Sequence, residues 1–223
     1  MILVGVGTDG DEAVSDSVQA IQRASNAFSA QLHHPLRLDI ADIAALINSE
    51  SEKRMLLVSH GNQEALVDAS INRVPYLRSD DVATLQDCYV FAHACSTGVY
   101  LGREAVRAAL IYIGFDAPIS APPTQRSICF HDVLGIFRHL IAFVQHVEYV
   151  DPISATSEVQ HFLDQIKATV LGIEAKHDDD NGSTLDAEEI ICIRQFKDDM
   201  CGWVRGLDRA LKSAGAPITP YLW

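Results

Sequence analysis

Two stretches of this chain end an apolar run in residues that can do chemistry. In LLVSHG, residues 56–61, aliphatic residues give way to Ser59, His60 and Gly61; in YVFAHACSTG, residues 89–98, they give way to His93, Cys95 and Gly98. A thiol with an ordinary pKa of about 8.5 is mostly protonated at neutral pH, so it needs a neighbour to accept its proton or stabilise the thiolate. An imidazole does both, and can then pass the proton to a leaving amine. Such chemistry also needs donors for the oxyanion of a tetrahedral intermediate. The backbone N–H of Gly61, where no side chain obstructs an approaching carbonyl, and that of Cys95 itself can supply them.

For His60 and Cys95 to meet, the two runs must be neighbouring strands. Continuous apolar runs at 2–6, Met55–Val58, Tyr89–Ala94 and Ala109–Phe115 suit parallel strands buried on both faces, and Leu36–Ile40 is a weaker fifth strand. Between them, helical spacing of apolar residues predicts helices over Glu12–Leu32, Ile40–Ser49 and Tyr100–Ala108. The alternation predicts an α/β fold: an open, mainly parallel sheet flanked by helices, with ligands bound at the carboxyl edge of the strands. Both polar strand ends would lie on that edge. A helix beginning near Tyr100 would also bring its N-terminus, which favours a thiolate, close to Cys95.

Beyond Pro122 and Pro123, helices are predicted over Ser127–Val147, Ala155–Ala175 and Leu185–Leu211, with no strand among them. The expected organisation is a core over residues 1–150 and a helical extension over 151–223 packed on it. Residues 177–184, HDDDNGST, form the obvious loop. In a calcium-loop frame with Gly182 sixth, the first ligand would be His177 and the eighth position Thr184, so the pattern fails and a solvated acidic loop is the better reading.

The chain has 223 residues, 48% of them hydrophobic, enough for a sizeable core. Its formal net charge of −13 argues against nucleic acid as a partner, since phosphate contacts require a basic surface. The opening MILVGVGTDGDE lacks the basic segment of a signal peptide, and no apolar run is long enough to span a bilayer. A cytoplasmic protein without membrane attachment is the expectation. Five dispersed cysteines with no CxxC pair indicate neither a disulfide framework nor structural zinc, and the histidines share no ligand spacing, so neither metal nor cofactor is expected. Cys88, on the opposite strand parity from Cys95, reads as structural, as do Cys129, Cys192 and Cys201.

An apolar block ending in His-Gly, followed by one ending in Ala-Cys with a glycine close behind, resembles the pattern of caspase-like cysteine peptidases. These include caspases, metacaspases, legumains, separases, gingipains and the bacterial CHAT peptidases, with 33 residues here between Gly61 and Cys95. Residues 105–122, AVRAALIYIGFDAPISAP, are similar to the helix and strand that follow in CHAT domains, so the resemblance covers residues 55 to about 122. It implies a caspase-like fold and an endopeptidase with Cys95 as nucleophile, His60 as general base and acid, and Gly61 and Cys95 as backbone oxyanion donors. It also implies that His93, two residues before the cysteine, lines the pocket for the substrate side chain. Caspases have glutamine there, and metacaspases and legumains an acidic residue. The partners implied are a protein or peptide substrate and a regulatory subunit or second copy of the chain, and for small CHAT-like peptidases a role in bacterial defence or cell death.

Other residues follow from position alone. Asn62 and Gln63 in the loop after His60 could contact substrate backbone, and Asp116 and Ser120 after the last strand could shape the substrate pocket or form a turn. His60 is preferred to His93 as the base because its strand end also carries the glycine. Two further readings remain: a caspase-like scaffold without catalysis, in which Cys95 is no more reactive than the other thiols, and a dinucleotide-binding α/β domain. The latter rests on Gly5, Gly7 and Gly10 in G-x-G-x-x-G spacing with Asp39 downstream, opposed by the acidic Asp9, Asp11 and Glu12.

Overall fold

A computed structural model of the chain describes residues 2–5, 12–25, 31–33, 38–68, 72–115, 118, 130–151 and scattered positions between 154 and 172. The described chain runs β1 (Ile2–Gly5), α1 (Glu12–Ser25), β2 (Gln31–His33), α2 (Ile40–Ser49), β3 (Arg54–Val58), β4 (His60–Gly61), β5 (Ala65–Val67), β6 (Pro75–Arg78), a 3₁₀ turn (Ser79–Leu85), β7 (Tyr89–His93), α3 (Leu101–Ala105), β8 (Ile111–Ile113) and α4 (Phe130–His146).

Five strands make one parallel sheet in the order β2-β1-β3-β7-β8. The apolar runs predicted this: every residue of β3 and β7 is buried, because both faces of the sheet are covered. On one face Leu56, Val58 and Phe91 pack with α1 and α4; on the other Met55, Leu57 and Val90 pack with α2, α3 and the small second sheet. That second sheet is antiparallel, in the order β4-β5-β6, and grows directly out of the end of β3.

The structure corrects several element boundaries. The strand expected at Leu36–Ile40 lies instead at Gln31–His33, parallel to β1. Asp39 ends any extended run there by capping α2: its Oδ1 accepts from the N–H groups of Ala41 and Asp42 at 2.8 and 2.9 Å, while Asp42 Oδ2 accepts from Asp39 N–H at 3.0 Å. Among the described residues α1 covers Glu12–Ser25, and Leu32, the expected end of the helix, lies in β2. Helix α3 is a single turn rather than Tyr100–Ala108, with a glycine at its second residue. The helix Ile40–Ser49 agrees with its predicted limits.

Arg54, 4% exposed at the start of β3, binds α4 to the sheet. Its guanidinium donates to the carbonyls of Val144 and Val147 and to Glu148 at the end of that helix, and lies over the Tyr89 ring at 4.4 Å. Past residue 150 the chain packs against α4: Phe143 stacks on Phe162 at 4.4 Å, and Phe162 and Ile166 are buried in the same cluster. The helix expected at Leu185–Leu211 and the acidic loop lie outside the described residues. Among the described residues no helix is long and apolar enough to cross a membrane.

Candidate active site

β3 and β7 are neighbours, with Val58 in register with His93, and Ser59 N–H reaches the His93 carbonyl at 3.4 Å. His60 and Cys95 each follow two residues later, so both leave the sheet at the same point on its carboxyl edge. Both are half-buried. From there the chains diverge: His60 and Gly61 turn into the small antiparallel sheet, and Cys95 opens a tight turn leading to α3.

The two segments are pressed together. A Cβ placed on Gly61 would lie 2.5 Å from Thr97 Cγ2, 2.8 Å from the Cys95 carbonyl oxygen and 3.0 Å from Ala94 Cβ. Only a residue without a side chain permits that approach. The loop beyond is fixed as well, since Leu101 N–H donates to the Gln63 carbonyl at 2.7 Å. On the far side of the cysteine turn, Gly98 N–H donates to the Phe115 carbonyl at 2.7 Å.

Ser96, immediately after Cys95, has a left-handed backbone with φ of 58°. A residue with a Cβ is disfavoured in that conformation, and such strain persists only where its surroundings hold it. Here Thr97 does so: it is fully buried, and its hydroxyl donates to the Ala94 carbonyl at 3.2 Å. The buried Tyr112 hydroxyl lies beside Thr97 without forming a hydrogen bond of good geometry. The N-terminus of α3, expected to favour a thiolate, is spent otherwise. Its Leu101 and Gly102 N–H groups are taken by the carbonyls of Gln63 and Thr97, and a single turn carries little dipole.

The orientation of the Gly61 amide follows from the β4–β5 ladder. Asn62 N–H donates to the Ala65 carbonyl at 3.0 Å, which makes Asn62 and Ala65 a hydrogen-bonded pair, Gly61 and Leu66 the alternating non-bonded pair, and His60 and Val67 the next bonded pair. The Gly61 N–H therefore faces away from β5 and is not consumed by it.

His93 is placed under the site. It is 3% exposed, with the rings of Phe115 and Phe137 meeting it edge-on at 5.7 Å. Burial lowers its pKa to about 4, which makes it a weak proton acceptor and a poor candidate for the base. The residue expected to line a substrate pocket is thus enclosed by aromatic side chains. Asn62 is exposed, but its Oδ1 accepts from the N–H groups of Glu64 and Ala65 at 2.8 and 2.9 Å, so its carbonyl end shapes the turn. Asp116 and Ser120 lie outside the described residues.

Among the described residues the reduced thiols are Cys88 and Cys95. Burial pushes the Cys88 thiol up to about 11, which suits an inert packing residue, whereas Cys95 is partly accessible. No group of three or more potential metal ligands occurs among the described residues. For the dinucleotide reading, Gly7 and Gly10 lie outside the described residues, and Asp39 is engaged in capping α2 rather than presented to a ribose.

Sequence reasoning noted Ser59 without giving it a role and missed Tyr76. The Ser59 hydroxyl, buried beneath His60, donates to the His60 carbonyl at 2.8 Å and is 2.8 Å from the Tyr76 hydroxyl. Ser59 was visible as a hydroxyl at a strand end, but Tyr76 reaches it from a strand with no readable signal. No known protein family matches this chain, and no curated protein matches it.

Proposed function

We propose that this chain is a caspase-like cysteine endopeptidase acting through Cys95 and His60. The observation that carries the reading is the contact of the His60–Gly61 segment with the cysteine turn, close enough that a Cβ on Gly61 would lie 2.8 Å from the Cys95 carbonyl oxygen. On this reading that contact supports a base, an oxyanion donor and a nucleophile sharing one point of the sheet edge.

In this reading His60 accepts the Cys95 thiol proton, and the sulfur adds to the substrate carbonyl carbon. The carbonyl oxygen takes up the negative charge, facing the N–H groups of Gly61 and Cys95. Collapse of the adduct breaks the C–N bond, and His60 protonates the departing amine, leaving a thioester on Cys95. Water, deprotonated by His60, then adds to the thioester; the acid product departs and the thiolate regains its proton. No metal is needed for any of these steps.

The test is labelling of the purified chain with a set of peptidyl acyloxymethyl ketones, alongside Cys95→Ala and His60→Ala. Labelling lost in both variants is expected, and the best peptide reports the preferred substrate side chain. If Cys95 in the wild-type chain labels no faster than Cys88, the reading is wrong for the chain on its own.

A further inference from the structure

Ser59 has one hydroxyl proton, and it is committed: Oγ donates to the His60 carbonyl oxygen at 2.8 Å. The 2.8 Å contact between Ser59 Oγ and Tyr76 Oη must therefore be donated by the tyrosine. The result is a directed chain, Tyr76 O–H to Ser59 O–H to the His60 carbonyl. Tyr76 is 2% exposed and Ser59 6%, so water does not compete for these bonds. Burial raises the Tyr76 hydroxyl well above the usual phenol range, the bond to Ser59 opposing this in part, so it keeps its proton at any working pH.

The end of this chain is the relevant part. The His60 carbonyl and the Gly61 N–H belong to one peptide unit, which is planar and, with no cis bonds in the described chain, trans. Fixing the carbonyl on the β5 side fixes the N–H on the opposite side. Donation into the carbonyl also draws electron density along the unit and makes its N–H a stronger donor.

We propose that Ser59 and Tyr76 are positioning residues for the oxyanion site: through the His60 carbonyl they polarise the Gly61 amide and reinforce the orientation that the β4–β5 ladder gives it. This rests on the cysteine-peptidase reading, and the experiment separates the two. It compares two reactions of Cys95. With p-nitrophenyl acetate, the sulfur adds to the ester carbonyl, the oxygen becomes an oxyanion, and p-nitrophenolate departs to leave an acetyl thioester while His60 takes the thiol proton. With iodoacetamide, the sulfur displaces iodide at a saturated carbon and no oxyanion forms. Only the first reaction uses the Gly61 amide.

Tyr76→Phe and Ser59→Ala are expected to slow acylation about tenfold, less than the ~10²–10³-fold reported by removing an oxyanion donor outright. Both should leave alkylation unchanged, and Ser59→Thr, which keeps a hydroxyl, should restore acylation. His60→Ala should slow both reactions. Tyr76→Phe retains the ring and carries the test should Ser59→Ala fail to fold. If Tyr76→Phe slows neither reaction, or slows both alike, the positioning role is overturned while the dyad stands. If His60→Ala changes neither reaction, the dyad falls and the proposal with it.

Discussion

Gly61 and Thr97 crowd each other: a Cβ on the glycine would fall 2.5 Å from Thr97 Cγ2, closer than non-bonded carbon atoms approach. Thr97 cannot yield, because it is fully buried and its hydroxyl is bonded to the Ala94 carbonyl. The second clash, 2.8 Å to the Cys95 carbonyl oxygen, is with backbone. Gly61→Ala must therefore push the two halves of the site apart.

The expected cost of Gly61→Ala is about 1–3 kcal/mol of folding stability, the range for overpacking a tight interior. Labelling of Cys95 by peptidyl ketones should fall with it. Urea unfolding and labelling rates measure the two effects, and a variant as stable and as reactive as wild type would show that the contact is not tight in solution.

His93 predicts a pH dependence of stability. Its folded pKa of about 4 lies below the ordinary value of 6.5, so between these pH values the unfolded chain binds a proton that the folded chain does not. Its contribution is complete above about pH 6.5 and is lost as the pH falls towards 4. The separation corresponds to about 3 kcal/mol. His93→Phe, which keeps an aromatic ring between Phe115 and Phe137, should make the stability curve flatter over this interval. Urea midpoints at several pH values for both proteins test this, and parallel curves would refute it.

Arg54 predicts the reverse separation, stability without chemistry. Arg54→Met leaves the Val144 and Val147 carbonyls at the end of α4 without their guanidinium donor, which should cost about 2–4 kcal/mol. The ion pair to Glu148 adds little, because that carboxylate is 70% exposed. Arg54→Lys should not rescue, since one ammonium cannot reproduce the planar fork. Arg54 lies at the opposite end of β3 from His60, so iodoacetamide should still alkylate Cys95 at the wild-type rate while the folded state persists.

What the sequence made legible were the elements whose signal is local. The five buried residues of β3 and of β7 stand out as apolar runs because both faces of the sheet are covered. Their adjacency, and with it the nearness of the His60–Gly61 segment to the cysteine turn, followed from the usual nearness of successive parallel strands. The second sheet did not show. Strands of two to four residues, such as His60–Gly61 and Pro75–Arg78, are too short for any period to appear, and their register depends on the Asn62 turn. The position of β2 was misread although Asp39 and Asp42, three apart, carried the capping signal that ends an extended run. The burial of His93 and the reach of Tyr76 to Ser59 depend on packing between distant segments, which no local pattern reports.

The glycines around the site also bear on how this sequence can vary. A Cβ on Gly98 would lie 2.9 Å from the Gly114 carbonyl oxygen, and one on Gly114 would lie 2.9 Å from Gly98 N, so each excludes a side chain on the other. With Gly61 they surround the cysteine turn with positions where no neighbouring change can compensate, because the obstacles include backbone atoms. Among descendants that keep the fold, those three positions will stay fixed rather than drift in concert with their neighbours. Variation is left to exposed residues such as Gln63, Glu64 and Tyr100, where substitution leaves the buried frame intact.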